Sequence, residues 1–263
     1  MSRNGLVSKT EAYVRDVMSK QPPAMAVAHD FKHVDRVRNW ALLFAGGEQY
    51  PDAVVVEVTA LLHDIGLGHI SGPEAHRAHV VLPPHGPLGA EMAEQFLKAN
   101  SDLSAETIEL IADAIRRHSD SPSAVAEYVK GLKDGGALLK ILRDADMTDA
   151  MGAVGLVRAF TSKAFLPEYE PGNMLGPAWG LSTGEVRAKF GVGSGQREPA
   201  LIKTIIDQVN QQIRYFDGLH TVAARRVAAP FVEFMKRFVI QLESEINLPI
   251  RAAGVAVDTH VRQ

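Results

Sequence analysis

The sequence contains no cysteine, and this absence excludes disulfides, thiol nucleophiles and zinc-thiolate sites together. It also lacks an apolar run long enough to span a membrane or to form the core of a secretory signal. The sequence has little excess charge of either sign, because 28 Lys and Arg residues against 31 Asp and Glu residues give a formal net charge of -3. The sequence therefore has no excess of positive charge that would indicate a nucleic-acid partner. We expect a cytoplasmic protein in which any metal is held by His, Asp or Glu.

Apolar residues are present at helical spacing along most of the chain. After Pro51, for example, Val54, Val58, Leu61 and Leu62 repeat with the period of an amphipathic helix. Two stretches rich in Gly and Pro, residues 68–87 and 166–198, interrupt this pattern and are predicted to be long loops. The sequence therefore predicts an all-α fold. Its first part is a core over residues 1–160, and a loop with C-terminal helices over residues 161–263 packs on that core as one structural unit.

The adjacent pair His63-Asp64 ends one of these apolar helices. An imidazole and a carboxylate are costly to bury side by side unless something compensates them. A divalent metal ion is the leading candidate for that compensation, and the alternative is a buried polar network without a metal.

Other candidate ligands lie on the apolar faces or at the ends of separate predicted helices. His33 shares the apolar face of its helix with Val37 and Trp40, and His118 continues an isoleucine stripe by one step. Periodicity also puts either Asp144 or Asp146 in the core and does not choose between them. A set of neutral imidazoles and carboxylates suits Mn, Fe, Co, Ni or Zn better than Mg or Ca.

The ordered pattern of His33, His63-Asp64 and a later aspartate resembles the HD-domain superfamily of metal-dependent phosphohydrolases over about residues 25–160. Four segments more narrowly resemble a bacterial branch of predicted HD hydrolases: 29–37, 61–66, 117–119 and 143–158. The resemblance implies an HD-domain helical bundle with additional C-terminal helices. It also implies His33, His63 and Asp64 as metal ligands. The last ligand would be Asp146, with Asp144 as its rival.

Two further histidines bear on the number of metal ions. His85, in the run His-Gly-Pro-Leu-Gly-Ala, and His118 resemble the additional ligands of binuclear HD phosphodiesterases, and His79 is the main rival to His85. With both, the resemblance implies one or two ions bridged by Asp64. A hydroxide between two ions would then attack phosphorus, while Asp64, His85 or His118 handles protons. Leu67 stands where that class usually has lysine, so its specific substrate is not carried over.

The expected substrate is a small phosphorylated molecule, a nucleotide or related phosphate ester. Candidate phosphate contacts are Arg36, His79, Arg143 and Lys163, although such arginines also serve structural ion pairs. His29 either faces the same site or is an exposed residue before its helix. The competing functions are a di-iron HD-type oxygenase that cleaves a C–C or C–P bond, and a catalytically silent ligand-binding module. The sequence does not decide whether the chain forms a homo-oligomer.

Overall fold

The structure is a computed structural model, and it describes residues 3–69, 85–191 and 201–247. Within those ranges it contains α-helices, turns and short 3-10 helices but no β-strand, which confirms the all-α prediction. The α-helices are α1 (Arg3–Met18), α2 (Pro23–His29), α3 (Phe31–Gly47), α4 (Ala53–Leu62), α5 (Gly86–Asn100), α6 (Ala105–Arg117), α7 (Pro122–Lys130), α8 (Ala137–Asp149), α9 (Gly152–Ser162), α10 (Thr183–Phe190), α11 (Ile205–Arg214) and α12 (Val222–Ile246). Short 3-10 helices cover Ile65–His69 and Tyr215–Gly218.

Short polar side chains begin many of these helices. The carboxylate of Asp30 accepts a hydrogen bond from the backbone N–H of His33 at 3.3 Å, and Asp52 accepts from Val54 and Val55. Such caps satisfy backbone donors that have no partner within the helix, and each stabilises the helix by about 1 kcal/mol. The cap at Asp30 therefore fixes the turn of α3 that carries His33.

The prediction of two long loops is wrong in part. Gly86 and Pro87 belong to α5, because proline is compatible with the first turn of a helix. Within residues 166–198, α10 forms behind a capping box in which Ser182 and Glu185 satisfy each other's backbone donors. Its weak periodicity, with only Val186 buried, explains why the apolar pattern missed it. Residues 70–84 and 192–200 lie outside the described part of the chain.

One hydrophobic core runs through the described residues, from Leu6 in α1 to Val239 in α12. In it α3 packs against α4 and α8, α5 packs against α6, and α12 packs against α3, α8 and α9. This arrangement brings the beginning of α3, the end of α4, the beginning of α5 and the end of α6 to one place beside α8. Among the described helices, none combines the length and apolar character needed to cross a membrane.

Candidate metal centre

Asp64 lies at the centre of a cluster of buried histidines. Its Oδ1 is 3.0 Å from Nε2 of His85 and 3.5 Å from Nε2 of His118. Its Oδ2 is 3.3 Å from Nε2 of His63 and 3.5 Å from Nε2 of His33. The two oxygens of one carboxylate therefore face two different groups of imidazoles. We call the group of His33, His63, Asp146 and Asp64 Oδ2 the first lobe, and the group of His85, His118 and Asp64 Oδ1 the second lobe.

The imidazoles of the first lobe have no hydrogen-bond partner for the nitrogen that faces the centre. Nδ1 of His63 donates to the carbonyl of Ala60 at 2.8 Å, so Nε2 keeps its lone pair. Nδ1 of His33 lies 2.7 Å from Oδ2 of Asp149. Nε2 of both rings is buried and makes no hydrogen bond, although an unpartnered buried polar atom is costly. A cation would satisfy the donor set formed by these nitrogens and Oδ1 of Asp146, which is 3.3 Å from Nε2 of His33.

The second lobe has a related arrangement. Nδ1 of His118 donates to the carbonyl of Ile115 at 2.6 Å, so the lone pair of Nε2 faces inward. That nitrogen is 3.0 Å from Nε2 of His85, and both approach the same oxygen of Asp64. Two nitrogens and a carboxylate oxygen at these separations form a group that could hold a metal ion, as do His33, His63 and Asp146.

The structure separates the two rival aspartates of α8. Asp146 faces the first lobe, whereas Asp144 accepts hydrogen bonds from the backbone N–H groups of His220 and Thr221 and from the Thr221 hydroxyl. Residues two apart on a helix point in different directions, so both cannot reach the same centre. This geometry favours Asp146 as the last ligand and gives Asp144 a structural role.

The charges of the cluster also suit a cation. Burial raises the pKa of Asp64, but the neighbouring histidines outweigh it and hold that pKa well below its usual range. Burial and the charge of Arg158 lower the pKa of His33, but the nearby carboxylates of Asp146, Asp149 and Asp64 outweigh them and raise it to about 10. The excess of carboxylate charge around His33 therefore favours any positive charge at its Nε2, whether a proton or a metal ion.

Asp149 supports His33 from outside the lobe. It accepts hydrogen bonds from Nε of Arg36 at 2.6 Å and from Nη1 of Arg158 at 2.8 Å, in addition to its contact with His33. A carboxylate behind a metal-binding imidazole fixes the orientation of the ring. Arg36, proposed from the sequence as a phosphate contact, is thus engaged in the ion pair that fixes Asp149.

The other proposed substrate contacts lie in different surroundings. The guanidinium of Arg143 is buried and donates through Nη1 to the carbonyls of Arg117, His118 and Asp120, so it fixes the main chain around His118. Lys163 follows the end of α9, with its ammonium 5.8 Å from the ring centroid of Phe165. His79 lies outside the described residues.

His29 is a member of the cluster that the sequence reasoning left undecided. Its Nδ1 is 3.1 Å from Oδ2 of Asp64, although the two residues lie on different helical segments. Burial lowers the pKa of His29 to about 4, so its ring is neutral at neutral pH. The only signal in the sequence was its position one helical turn before His33, and a residue before a helix start has no fixed direction by periodicity.

This chain resembles a family model, a protein of Bacillus subtilis and several solved structures. Residues 30–151 match the family model described as HD domain. The Bacillus subtilis protein YpgQ is 26% identical over 220 residues, which cover 83% of this chain and 84% of the relative. The crystal structure of YpgQ in complex with ADP has a TM-score of 0.57 and 21% identity, and it covers 94% of this chain and 98% of that one. A crystal structure of an HD-superfamily hydrolase from Bacillus thuringiensis has a TM-score of 0.59 and 18% identity, and the coverages are 94% and 100%.

Proposed function

We propose that this chain, whose residues 30–151 match the family model described as HD domain, is a metal-dependent phosphohydrolase that acts on a small phosphorylated molecule. The observation that carries the proposal is the pair of buried, unpartnered Nε2 atoms of His33 and His63 beside the carboxylate of Asp64. A metal ion stabilises such a donor set, whereas burial of these polar atoms without a metal ion is costly. The ADP in the crystal structure of YpgQ supports a nucleotide or related phosphate ester as the substrate.

We further propose two divalent transition-metal ions, from among Mn, Fe, Co, Ni and Zn. The first lobe would hold one ion through His33, His63, Asp64 and Asp146. The second would be held by His85 and His118, with Asp64 shared between the two ions through its separate oxygens. When bound, paired ions supply a water of lowered pKa and neutralise the charge of the phosphoryl oxygens.

The residues of this chain orient and protect that site. Asp149 and the carbonyls of Ala60 and Ile115 hold three imidazoles so that Nε2 of each faces Asp64. Since His33, His63 and His118 are 4% exposed or less, bulk water is excluded from most of the centre and electrostatic interactions there are strengthened. Asp64, His85 and His118 are the proposed groups for proton handling, and Lys163 remains a proposed phosphate contact.

Substitution of the central pair tests the proposal. We expect His63→Ala and Asp64→Ala to lose bound metal and at least about 100-fold in turnover, because both side chains face the proposed ions and the reacting water. Wild type and variants would be loaded with Mn, Fe, Co, Ni or Zn. Phosphate release would be measured on nucleotides that include ADP, with metal content by mass spectrometry and helicity by circular dichroism.

Lys20→Ala is the control, because Lys20 pairs with Asp16 on the surface with side-chain exposures of 64% and 63%. Wild-type rates in His63→Ala or Asp64→Ala would contradict the site. Oxygen consumption by the iron-loaded protein with polyol or phosphonate substrates, without release of phosphate from phosphate esters, would instead support the di-iron oxygenase alternative. A tightly bound nucleotide with no turnover would support a silent binding module.

A further inference from the structure

His29 contacts the carboxylate of Asp64 from α2, a helix that carries none of the proposed ligands. It is the last residue of α2, and its Nδ1 lies 3.1 Å from Oδ2 of Asp64. Its ring meets that of His33 edge to face, with centroids 5.4 Å apart and an interplanar angle of 85°. The contact therefore depends on the break between α2 and α3, where Asp30 in an extended conformation ends one helix and caps the next.

The backbone beside His29 is held in place by Arg158, which also binds the carboxylate that orients His33. Arg158 donates through Nη2 to the carbonyl of Ala28 at 2.8 Å and through Nη1 to Asp149 at 2.8 Å. One guanidinium thus ties the end of α2 to the carboxylate that orients His33. A residue held by a rigid fork from another helix has the precise placement that a catalytic group needs.

The exposure of the site residues shows where a substrate can reach the centre. The side chains of His33, His63, Asp64, His85 and His118 are 3% exposed or less. Among the described members of the cluster, only His29 and Asp146 exceed this, with 22% and 32% of their side chains exposed. The open side of the centre in the described structure is therefore bordered by His29 and Asp146.

His29 meets the centre on one edge. Its ring groups at ligand-like separations with His33 and Asp64, a set that could hold a metal ion, whereas the group of His33, His63 and Asp146 forms without it. Since Nδ1 of His29 lies within hydrogen-bond distance of Oδ2 of Asp64, we assign His29 as the hydrogen-bond partner of that carboxylate. The count of histidine nitrogens bound to the metal distinguishes this role from ligation.

Hydrogen-bond chemistry then decides what His29 can offer. An ionised carboxylate only accepts, so Nδ1 of His29 donates in its contact with Asp64, and Nε2 is the ring nitrogen that an imidazole in this tautomer offers as an acceptor. Each carboxylate oxygen has two lone pairs, so Oδ2 of Asp64 can accept from His29 and still bind an ion. Asp64 and His29 thus form a carboxylate–imidazole pair like those that orient a catalytic histidine.

We propose that His29 is a further catalytic residue, which orients the attacking water by accepting its hydrogen bond at Nε2 while Asp64 holds the ring through Nδ1. The inference rests on the proposed phosphohydrolase function. A water with one O–H directed to Nε2 presents an oxygen lone pair to the phosphorus that enters from the open side. His29 supplies orientation and does not contribute a bond to either ion.

The experiment compares His29→Ala and His29→Gln with wild type, with His69→Ala as the matched control. His69 ends the 3-10 helix that follows Asp64 and is exposed. We expect His29→Ala to keep full metal content and to lose about 100-fold in kcat with KM little changed. Glutamine offers one donor and one acceptor, so His29→Gln should lose no more than about tenfold in kcat. His69→Ala should match wild type.

A measurement that does not depend on turnover separates orientation from ligation. In the manganese-loaded protein, pulsed electron paramagnetic resonance counts the histidine nitrogens bound to Mn²⁺, and that count should be the same in wild type and His29→Ala. A lower count or loss of metal in His29→Ala would overturn the proposal by making His29 a ligand. A raised KM with unchanged kcat, or wild-type turnover, would overturn it also. A wild type that hydrolyses no phosphate ester with any of the five metals would overturn the proposed function itself.

Discussion

At the scale of single residues, the metal centre depends on partners that lie behind the proposed ligands. Asp149 is 1% exposed and contacts His33, Arg36 and Arg158 together. Burial raises the pKa of Asp149, but hydrogen bonds from His33 and Arg36 outweigh it and lower that pKa to about 2. The carboxylate is therefore ionised at every pH at which the protein would work, and it can hold His33 in one orientation.

Asp149→Asn should lower both stability and metal affinity. The amide leaves two partly buried guanidinium groups without their counter-charge, so we expect a loss of about 2 kcal/mol in the free energy of unfolding at pH 7. Metal affinity should fall by about 10-fold to 100-fold because His33 is no longer oriented. The folded pKa lies below the unfolded value of about 4, so this stabilisation is present above pH 4 and is lost as the pH falls toward 2.

Urea unfolding of metal-free wild type and Asp149→Asn at pH 7 and pH 3 measures this effect. Asp16→Asn is the control, because Asp16 has 63% of its side chain exposed and should change stability by less than about 1 kcal/mol. A difference between wild type and Asp149→Asn that did not shrink at the lower pH would contradict the role of the charge.

At the scale of elements, close backbone contact positions the second lobe. The 3-10 helix that follows Asp64 touches the start of α5 at Gly66, where a Cβ atom would lie 2.3 Å from the carbonyl oxygen of His85 and 2.8 Å from the backbone nitrogen of Gly89. Only glycine allows this approach, and the approach brings His85 to Asp64. Glycine after the His-Asp pair is thus a packing requirement of the site.

Gly66→Ala should therefore displace the beginning of α5. We expect the free energy of unfolding to fall by about 2 kcal/mol or more and bound metal to fall toward one ion per chain, because His85 moves away from Asp64. Unfolding curves and metal content by mass spectrometry would measure both. The same exchange at Gly46, where a Cβ atom meets nothing within 4 Å, should leave metal content unchanged and stability equal or higher by up to about 1 kcal/mol. Two ions per chain in Gly66→Ala would contradict this account.

At the scale of the whole molecule, the C-terminal helices are anchored on the helix that carries Asp146. The carboxylate of Asp144 accepts from the backbone N–H of Thr221 at 2.6 Å and from its hydroxyl at 2.7 Å, at the start of α12. Thr221 in turn caps α12 through the backbone N–H of Ala224. One face of α8 thus faces the candidate metal centre while another holds the last part of the described chain against the core.

This division predicts opposite outcomes for two neighbouring substitutions. Asp144→Ala should lower the free energy of unfolding by about 3 kcal/mol, because it leaves buried donors without an acceptor, and it should retain bound metal. Asp146→Ala should lose metal from the first lobe while the metal-free protein unfolds within about 1 kcal/mol of wild type, since its carboxylate faces the open side. Metal content and urea unfolding of both variants test the assignment, and loss of metal in Asp144→Ala alone would reverse it.

The sequence by itself determined the helical character of the chain and the chemistry of its centre. Local periodicity put His33 and His118 on apolar faces and His63-Asp64 at a helix end, because a helix fixes the directions of residues three and four apart. The order of these elements was enough to indicate a resemblance to the HD-domain superfamily. Weakly periodic segments, such as α10, were not determined because their capping and not their apolar pattern makes them helical.

Only the tertiary structure decided which groups meet. Asp149 reaches His33 across 116 positions of the chain and Asp144 reaches His220 across 76, and no local pattern reports contacts of that separation. The same limit applies to the hydrogen bonds that Arg36 makes to Asp149 and Arg143 makes to the carbonyl of His118, which the sequence did not indicate when it suggested both arginines as phosphate contacts. His29 was left undecided for a related reason, since its direction depends on the turn between two helices. Periodicity fixes which face of a helix is buried, and packing between distant helices fixes what that face touches.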